Sequence, residues 1–138
     1  MARSSKNIRR LVDLFRDLET VERAKVSELA RQSEELRAAQ EELLASLTSP
    51  SPQTEPFLGL MSRSIGQMDR RLQRLRIEHE AAVRRYTQAA ARTKGATERL
   101  SAVRADEDRK AEQRELEALL EFVQGAAAQV RCKSTGSS

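Results

Sequence analysis

One histidine, His79, and one cysteine, Cys132, are the only imidazole and thiol in this 138-residue sequence. Zinc sites draw on several imidazole or thiolate ligands at short spacing, so neither residue has a partner of its own kind. His79 falls on an apolar seam described below and reads as a tolerated interface residue. The 21 acidic residues could serve acid–base chemistry only where a pocket shifts their pKa, and they fall on solvated faces of rod-like helix. No glycine-rich phosphate loop exists; Gly59 and Gly66 are isolated. Gly95 interrupts a helical pattern and reads as a tolerated defect, not a hinge. The basic pairs Arg9-Arg10, Arg70-Arg71 and Arg84-Arg85 lack the interleaved aromatics on which single-stranded bases stack. The 25 Lys and Arg exceed the acids by a net +4, a weak field when spread along a rod. These residues point away from an enzyme, a metal site, a cofactor or a nucleic-acid partner, and toward a protein that binds other proteins.

The elements that would position such residues are helical. Charged residues make up 33% of the chain and aromatics 3%, with no Trp. That balance suits a coiled coil better than a globular core. No apolar run reaches the length of a membrane span. The basic opening of the sequence, Met1 to Arg16, has no apolar secretion segment and leads directly into helical periodicity. A lone cysteine in a polar tail fits a reducing compartment, so a cytoplasmic location is expected. All three prolines, Pro50, Pro52 and Pro56, lie together. Proline removes a backbone donor and turns the preceding residue away from helix, which makes this the one clear break.

The fold expected is all-α: an antiparallel two-helix coiled-coil hairpin whose second helix is longer than the first. The first helix is placed at about 6–47, with Ser4 or Ser5 as its N-cap. The loop covers 48–56 and the second helix about 57–124, with Gly125 as a helix stop unless the Ala run after it carries the helix a turn further. A disordered tail is expected over 131–138.

On the second helix, alternating steps of four and three run Met61, Ile65, Met68, Leu72, Leu75, His79, Ala82, Tyr86, Ala89, Thr93, Ala96, Leu100, Val103. Spacing of this kind is the mark of a coiled-coil seam. On the first helix one row is Ile8, Phe15, Glu22, Leu29, Leu36, Leu43. A second row starts as Leu11 and Leu18 and then slips one position to Val26, Ser33, Gln40 and Leu47. If Leu47 faces Met61, antiparallel partners sum to about 108, so that Leu36 meets Leu72 and Val26 meets Ala82. Charge favours the same register. Residues 17–42 hold eight acids and four bases, and they face 66–91, with six bases and three acids. The second helix then overshoots the first beyond about Arg104. Its Asp106, Glu107 and Asp108 are expected to stay solvated or meet Arg3, Lys6, Arg9 and Arg10, and its distal Leu/Phe cluster is left unpaired. An unpaired apolar stripe on a solvated helix marks a contact with another protein.

Three stretches resemble the flagellar and type III protein export stalk family, the FliJ-like coiled coils. The first helix opens with Ile8, Leu11, Leu14 and Leu18 and has a Glu-rich middle. The second opens Phe57-x-x-x-Met61-x-x-x-Ile65-x-Gln67, similar to the family's Phe-x-x-x-Leu-x-x-x-Ile pattern. Glu112-Gln-Arg-Glu-Leu-Glu-Ala-Leu-Leu120 looks like the family's acidic Glu-Gln stretch. The compact Pro-rich loop and the polar seam residues of the first helix depart from the pattern. The resemblance implies a non-enzymatic stalk that docks in the ring of a hexameric export ATPase and links it to the export gate protein. Export chaperones would be further partners, and the membrane would be met only through the gate. By matching positions, the gate end would use Phe57, Met61, Ser64 and Met68. The unpaired overhang suggests Leu11, Leu14, Leu116, Leu119 and Phe122 for the ATPase end. Two other readings stand beside it: a structural coiled-coil scaffold that dimerises through its overhangs, and a weak nucleic-acid binder using the basic face of the second helix.

Overall fold

A computed structural model describes residues 4–135, with side chains through Lys133. The chain forms α1 (Ser5–Thr48), a short 3-10 turn over Glu55–Phe57, and α2 (Leu58–Thr135). The two helices pack against each other as a hairpin, α2 being the longer, at 78 residues against 44. At 1.5 Å per residue they span roughly 66 and 117 Å.

The break between them is built as the prolines require. Ser49 leaves the helical region, with φ −131° and ψ 66°, and its N–H still bonds to the Ala45 carbonyl. Ser51 and Thr54 then form a small knot. Ser51 N–H donates to Thr54 Oγ1, and the N–H groups of Thr54 and Glu55 both donate to the Ser51 carbonyl, each at 3.0 Å. Side-chain hydroxyls near proline offer the backbone a turn in place of a helix. Pro56 sits in the first turn of the 3-10 segment, where its missing donor costs nothing.

α2 does not stop at Gly125. It runs through the Ala126-Ala-Ala stretch to Thr135, so the helix end expected near 124 and the disordered tail expected from Arg131 are both corrected over the described residues. A helical glycine costs only about 1 kcal/mol against alanine, and the strong helix formers on either side offset it. Gly136 to Ser138, the rest of that expected tail, lie outside the described residues.

The seam of α2 is the row read from the sequence. Leu75, Ala82, Ala89, Ala96 and Leu100 are buried, and the intervening seam residues are half-buried. The seam of α1 needs a correction. Its second row is Val12, Glu19, Val26, Ser33, Gln40 and Leu47, with no slip; Val12 is buried and the rest are half-buried. Leu11 is only half-buried and Leu18 is exposed. A left-handed hairpin holds its contact line only with an unbroken 3.5-residue repeat, and a one-position slip rotates the helix by about 100°. The chain therefore keeps the repeat and places Glu19 on the seam. In the register this carboxylate side chain falls opposite Ala89, where a small partner leaves space for its aliphatic stem.

Cross-helix contacts fix that register. Ser5 meets Glu107, Glu22 meets Arg85, Arg23 meets Tyr86 and Gln40 meets Asp69, all close to a sum of 108. The tightest packing lies at the end where α1 begins. There Ile8, Val12, Ala96 and Leu100 form a buried cluster, with Phe15 and Val103 against it.

This geometry makes three outcomes measurable. Ile8→Ala should destabilise the hairpin by about 2–5 kcal/mol in urea denaturation, whereas Leu18→Ala should change it by less than about 0.5 kcal/mol. A cysteine pair at Leu36 and Leu72, in a Cys132→Ser background, should crosslink within one chain. Gly95→Ala should raise stability by about 0.5–1 kcal/mol, because nothing lies within 4 Å of the added methyl group.

Candidate functional site

The surface that could recognise a partner begins where α1 stops covering α2. Ser4 occupies the N-cap position of α1 but makes no side-chain cap. Glu107 of α2 takes that role: its Oε1 accepts the Ser5 N–H at 3.0 Å. A carboxylate at a helix N-terminus satisfies an orphan donor and lies at the positive end of the helix dipole. The hydrogen bond from Ser5 holds the Glu107 carboxyl below the usual range. Its neighbours are tied locally instead: Asp106 pairs with Arg109 and Lys110 of its own helix. Of the two outcomes expected for these acids, Asp108 stays exposed, and Glu107 contacts the α1 backbone where Lys6, Arg9 or Arg10 was the alternative; Arg3 lies outside the described residues.

Beyond Glu107 every residue of α2 through Lys133 is exposed. Leu116, Leu119 and Phe122, the overhang residues expected from sequence, are 61%, 59% and 75% exposed, and Leu120, Val123 and Val130 are exposed beside them. Leu14 of α1 is exposed, while Leu11 is half-buried on the flank of the seam. At the loop end Phe57 is exposed. Met61, Ser64 and Met68 are half-buried, and Met61 and Met68 lie on the seam itself. Only Phe57 of that set presents a large exposed apolar side chain. Leu60, 64% exposed, joins it and was missed from sequence. The signal for it was available, since Leu60 stands one position before the seam residue Met61.

The hairpin has two unlike flanks. One groove between the helices is walled by Val21 and Lys25 of α1 and Arg85 of α2, and another on the same flank by Gln32, Arg74 and Glu78. In the heptad frame, Leu11, Leu14, Leu18 and Val21 of α1 and Phe57 and Leu60 of α2 fall on this flank. The opposite grooves are lined by residues such as Arg16, Arg104 and Asp108, and by Arg37, Asp69 and Arg76. His79 lines this second flank at the seam, beside Ser33, Leu72 and Arg76. Among the described residues no cluster of three His, Cys, Asp or Glu could hold a metal ion, and no helix is long and apolar enough to cross a membrane.

Charged contacts are mostly local. Of nine ion pairs among the described residues, eight lie within one helix; Glu22–Arg85, at 3.5 Å, alone bridges the two. Arg31 bonds both Glu28 and Glu35, and its hydrogen bonds hold the Glu28 carboxyl down at about 2. Arg23 reaches across to donate to Tyr86 Oη at 3.2 Å, with its guanidinium 5.6 Å from the ring centroid. Among the described residues, the opposing net charges of the two helices are therefore met across the seam by the Glu22–Arg85 pair.

Compared with protein-family models, curated proteins and solved structures, the chain matches none.

Glu107→Ala should speed amide exchange in the first turn of α1, at Ser5 to Ile8, and leave exchange near Leu36 unchanged. Acid should do the same in the unaltered protein. A carboxyl held below its usual value contributes stability above its unfolded pKa, near 4.5, and loses it as pH falls through the lower folded value. Exchange at these amides, corrected for intrinsic pH dependence, should rise only below that range and should be pH-insensitive there in the Ala variant.

Proposed function

We propose that this chain is a non-enzymatic coiled-coil stalk or adaptor of a bacterial flagellar or type III protein export apparatus. The observation that carries the reading is the bare end of α2. About 28 residues of helix extend past the point where Ser5 of α1 meets Glu107, and they expose Leu116, Leu119, Leu120, Phe122 and Val123. Most helical stability in proteins comes from packing an apolar face, and exposed apolar side chains at helical spacing are what a helix-binding groove takes up. In this reading the overhang, with Leu14 farther back on the same flank, docks in the ring of a hexameric export ATPase. Phe57 and Leu60 at the loop end meet the export gate, with export chaperones as further partners. The protein would work in the cytoplasm, peripheral to the inner membrane through that apparatus. Support comes from the sequence resemblance in the first helix, after the loop and at Glu112 to Leu120, together with a hairpin of unequal arms.

Burying three such side chains in a partner contributes roughly 5 kcal/mol before the cost of ordering. Truncation after Lys110 should therefore keep the hairpin, because Ser5 and Glu107 remain, and abolish capture of the export ATPase in a pull-down. Circular dichroism reports the fold in the same sample. Full-affinity binding by the truncated chain would remove the overhang from the docking role. At the loop end, Phe57→Ala and Leu60→Ala should weaken capture of the gate protein while shifting the melting midpoint little, since both side chains face solvent in the free chain.

A further inference from the structure

The exposed apolar residues of the overhang are not scattered. Leu116, Leu120, Val123, Ala127 and Val130 follow steps of four, three, four and three, a coiled-coil repeat in its own right. Its phase differs from the hairpin seam, which would continue through Lys110, Arg114, Glu117 and Glu121. The stripe is one position off, so it does not extend the contact with α1. It falls instead, counted in heptads, on the α2 row of Arg74 and Glu78, along the more apolar flank.

We propose that this stripe is a self-association surface that pairs, antiparallel, with the same stripe of a second copy of the chain. This does not rest on the export-stalk reading, and it competes with the ATPase contact of that reading, because both use Leu116, Leu120 and Val123. Charge selects the orientation. The body of the overhang is acidic, with Glu112, Glu115, Glu117 and Glu121 against Arg114 alone; its far end carries Arg131 and Lys133. A parallel pair in register lays the four carboxylates of one copy along the four of the other. Farther back it also faces Arg85, Arg92 and Arg99 with their own counterparts, because these share the stripe's heptad phase. An antiparallel pair separates both sets. It brings Arg131 of one copy opposite Glu112 of the other, and Lys133 opposite Lys110, whose charge is already paired with Asp106.

Length selects the register. With Leu120 opposite Val123 of the second copy, Leu116 lies opposite Ala127 and Val130 opposite Gln113, so all five stripe residues are covered. The overlap then runs from 108 to 135, about four heptads, ending where α1 begins on each hairpin. Large residues meet small or β-branched ones, which suits interdigitation, and the twofold arrangement closes on itself. The assembly is an end-to-end rod with a hairpin at each end.

The test uses the full chain with Cys132→Ser, so that the exposed native thiol does not contribute. Sedimentation equilibrium should show a monomer–dimer equilibrium in the micromolar range. Leu120→Glu should weaken it at least tenfold while circular dichroism retains the hairpin's helicity. Mixing Leu120→Cys protein with Val123→Cys protein under mild oxidation should give mostly the mixed disulfide dimer. A chain that stays monomeric to about 100 μM overturns the proposal and leaves the overhang to a different protein partner. Dominant Leu120→Cys self-dimers overturn it in favour of a parallel pair. A dimer that Leu120→Glu does not weaken overturns it by placing the interface elsewhere.

Discussion

Two helices that share one contact line must both keep a 3.5-residue repeat along it, and nearly every other feature of this molecule follows from that constraint. α2 meets it with residues that are mostly small or unbranched at the end where α1 begins: Ala82, Ala89 and Ala96 are all buried. α1 meets it less well and carries Glu19, Glu22, Ser33 and Gln40 on the line, all half-buried. Holding the repeat is nonetheless favoured, because a slip would turn the remaining turns of α1 away from α2 together. The small residues of α2 make the compromise workable. They leave room for the Glu22 carboxylate, whose buried Oε2 lies 3.5 Å from the Arg85 guanidinium; nearer the loop, Gln40 reaches across to Asp69.

The same constraint sorts the leucines. A leucine on the line is buried or half-buried, and most leucines one position away are exposed. Leu14, Leu18 and Val21 are each about half exposed or more, although their helix is amphipathic. They gather on one flank because they occupy neighbouring heptad rows, and the overhang of α2 repeats that logic past the end of α1. Exposed apolar side chains off the seam therefore collect at both ends of one flank.

Electrostatics has a narrower part than the opposing net charges of the helices suggest. Long side chains on a helix reach neighbours three and four residues away more readily than they cross a supercoil, and such exposed pairs add only tenths of a kcal/mol each. Packing therefore sets the register, and charge acts where backbone groups lack partners. Glu107 is the clearest case, because its carboxylate closes the first turn of one helix from the side of the other.

The sequence by itself determined the hairpin, the break at the prolines, the α2 seam from Met61 to Val103 and the register near 108. Each rests on local propensity or on a repeat long enough to outweigh its defects. It also marked Leu116, Leu119 and Phe122 as unpaired, since α1 is too short to reach them. Only the tertiary structure decided that Val12 and Glu19 lie on the seam in place of Leu11 and Leu18. Hydrophobicity favours the leucines, and the partner helix's geometry overrules it. Only the structure showed Leu60 exposed at the loop end beside Phe57, and Glu107 capping α1 in place of a serine. The Ala run after Gly125 hinted at one more turn of α2, but its extension to Thr135 was not legible, because one glycine's cost is smaller than the combined preference of the residues around it.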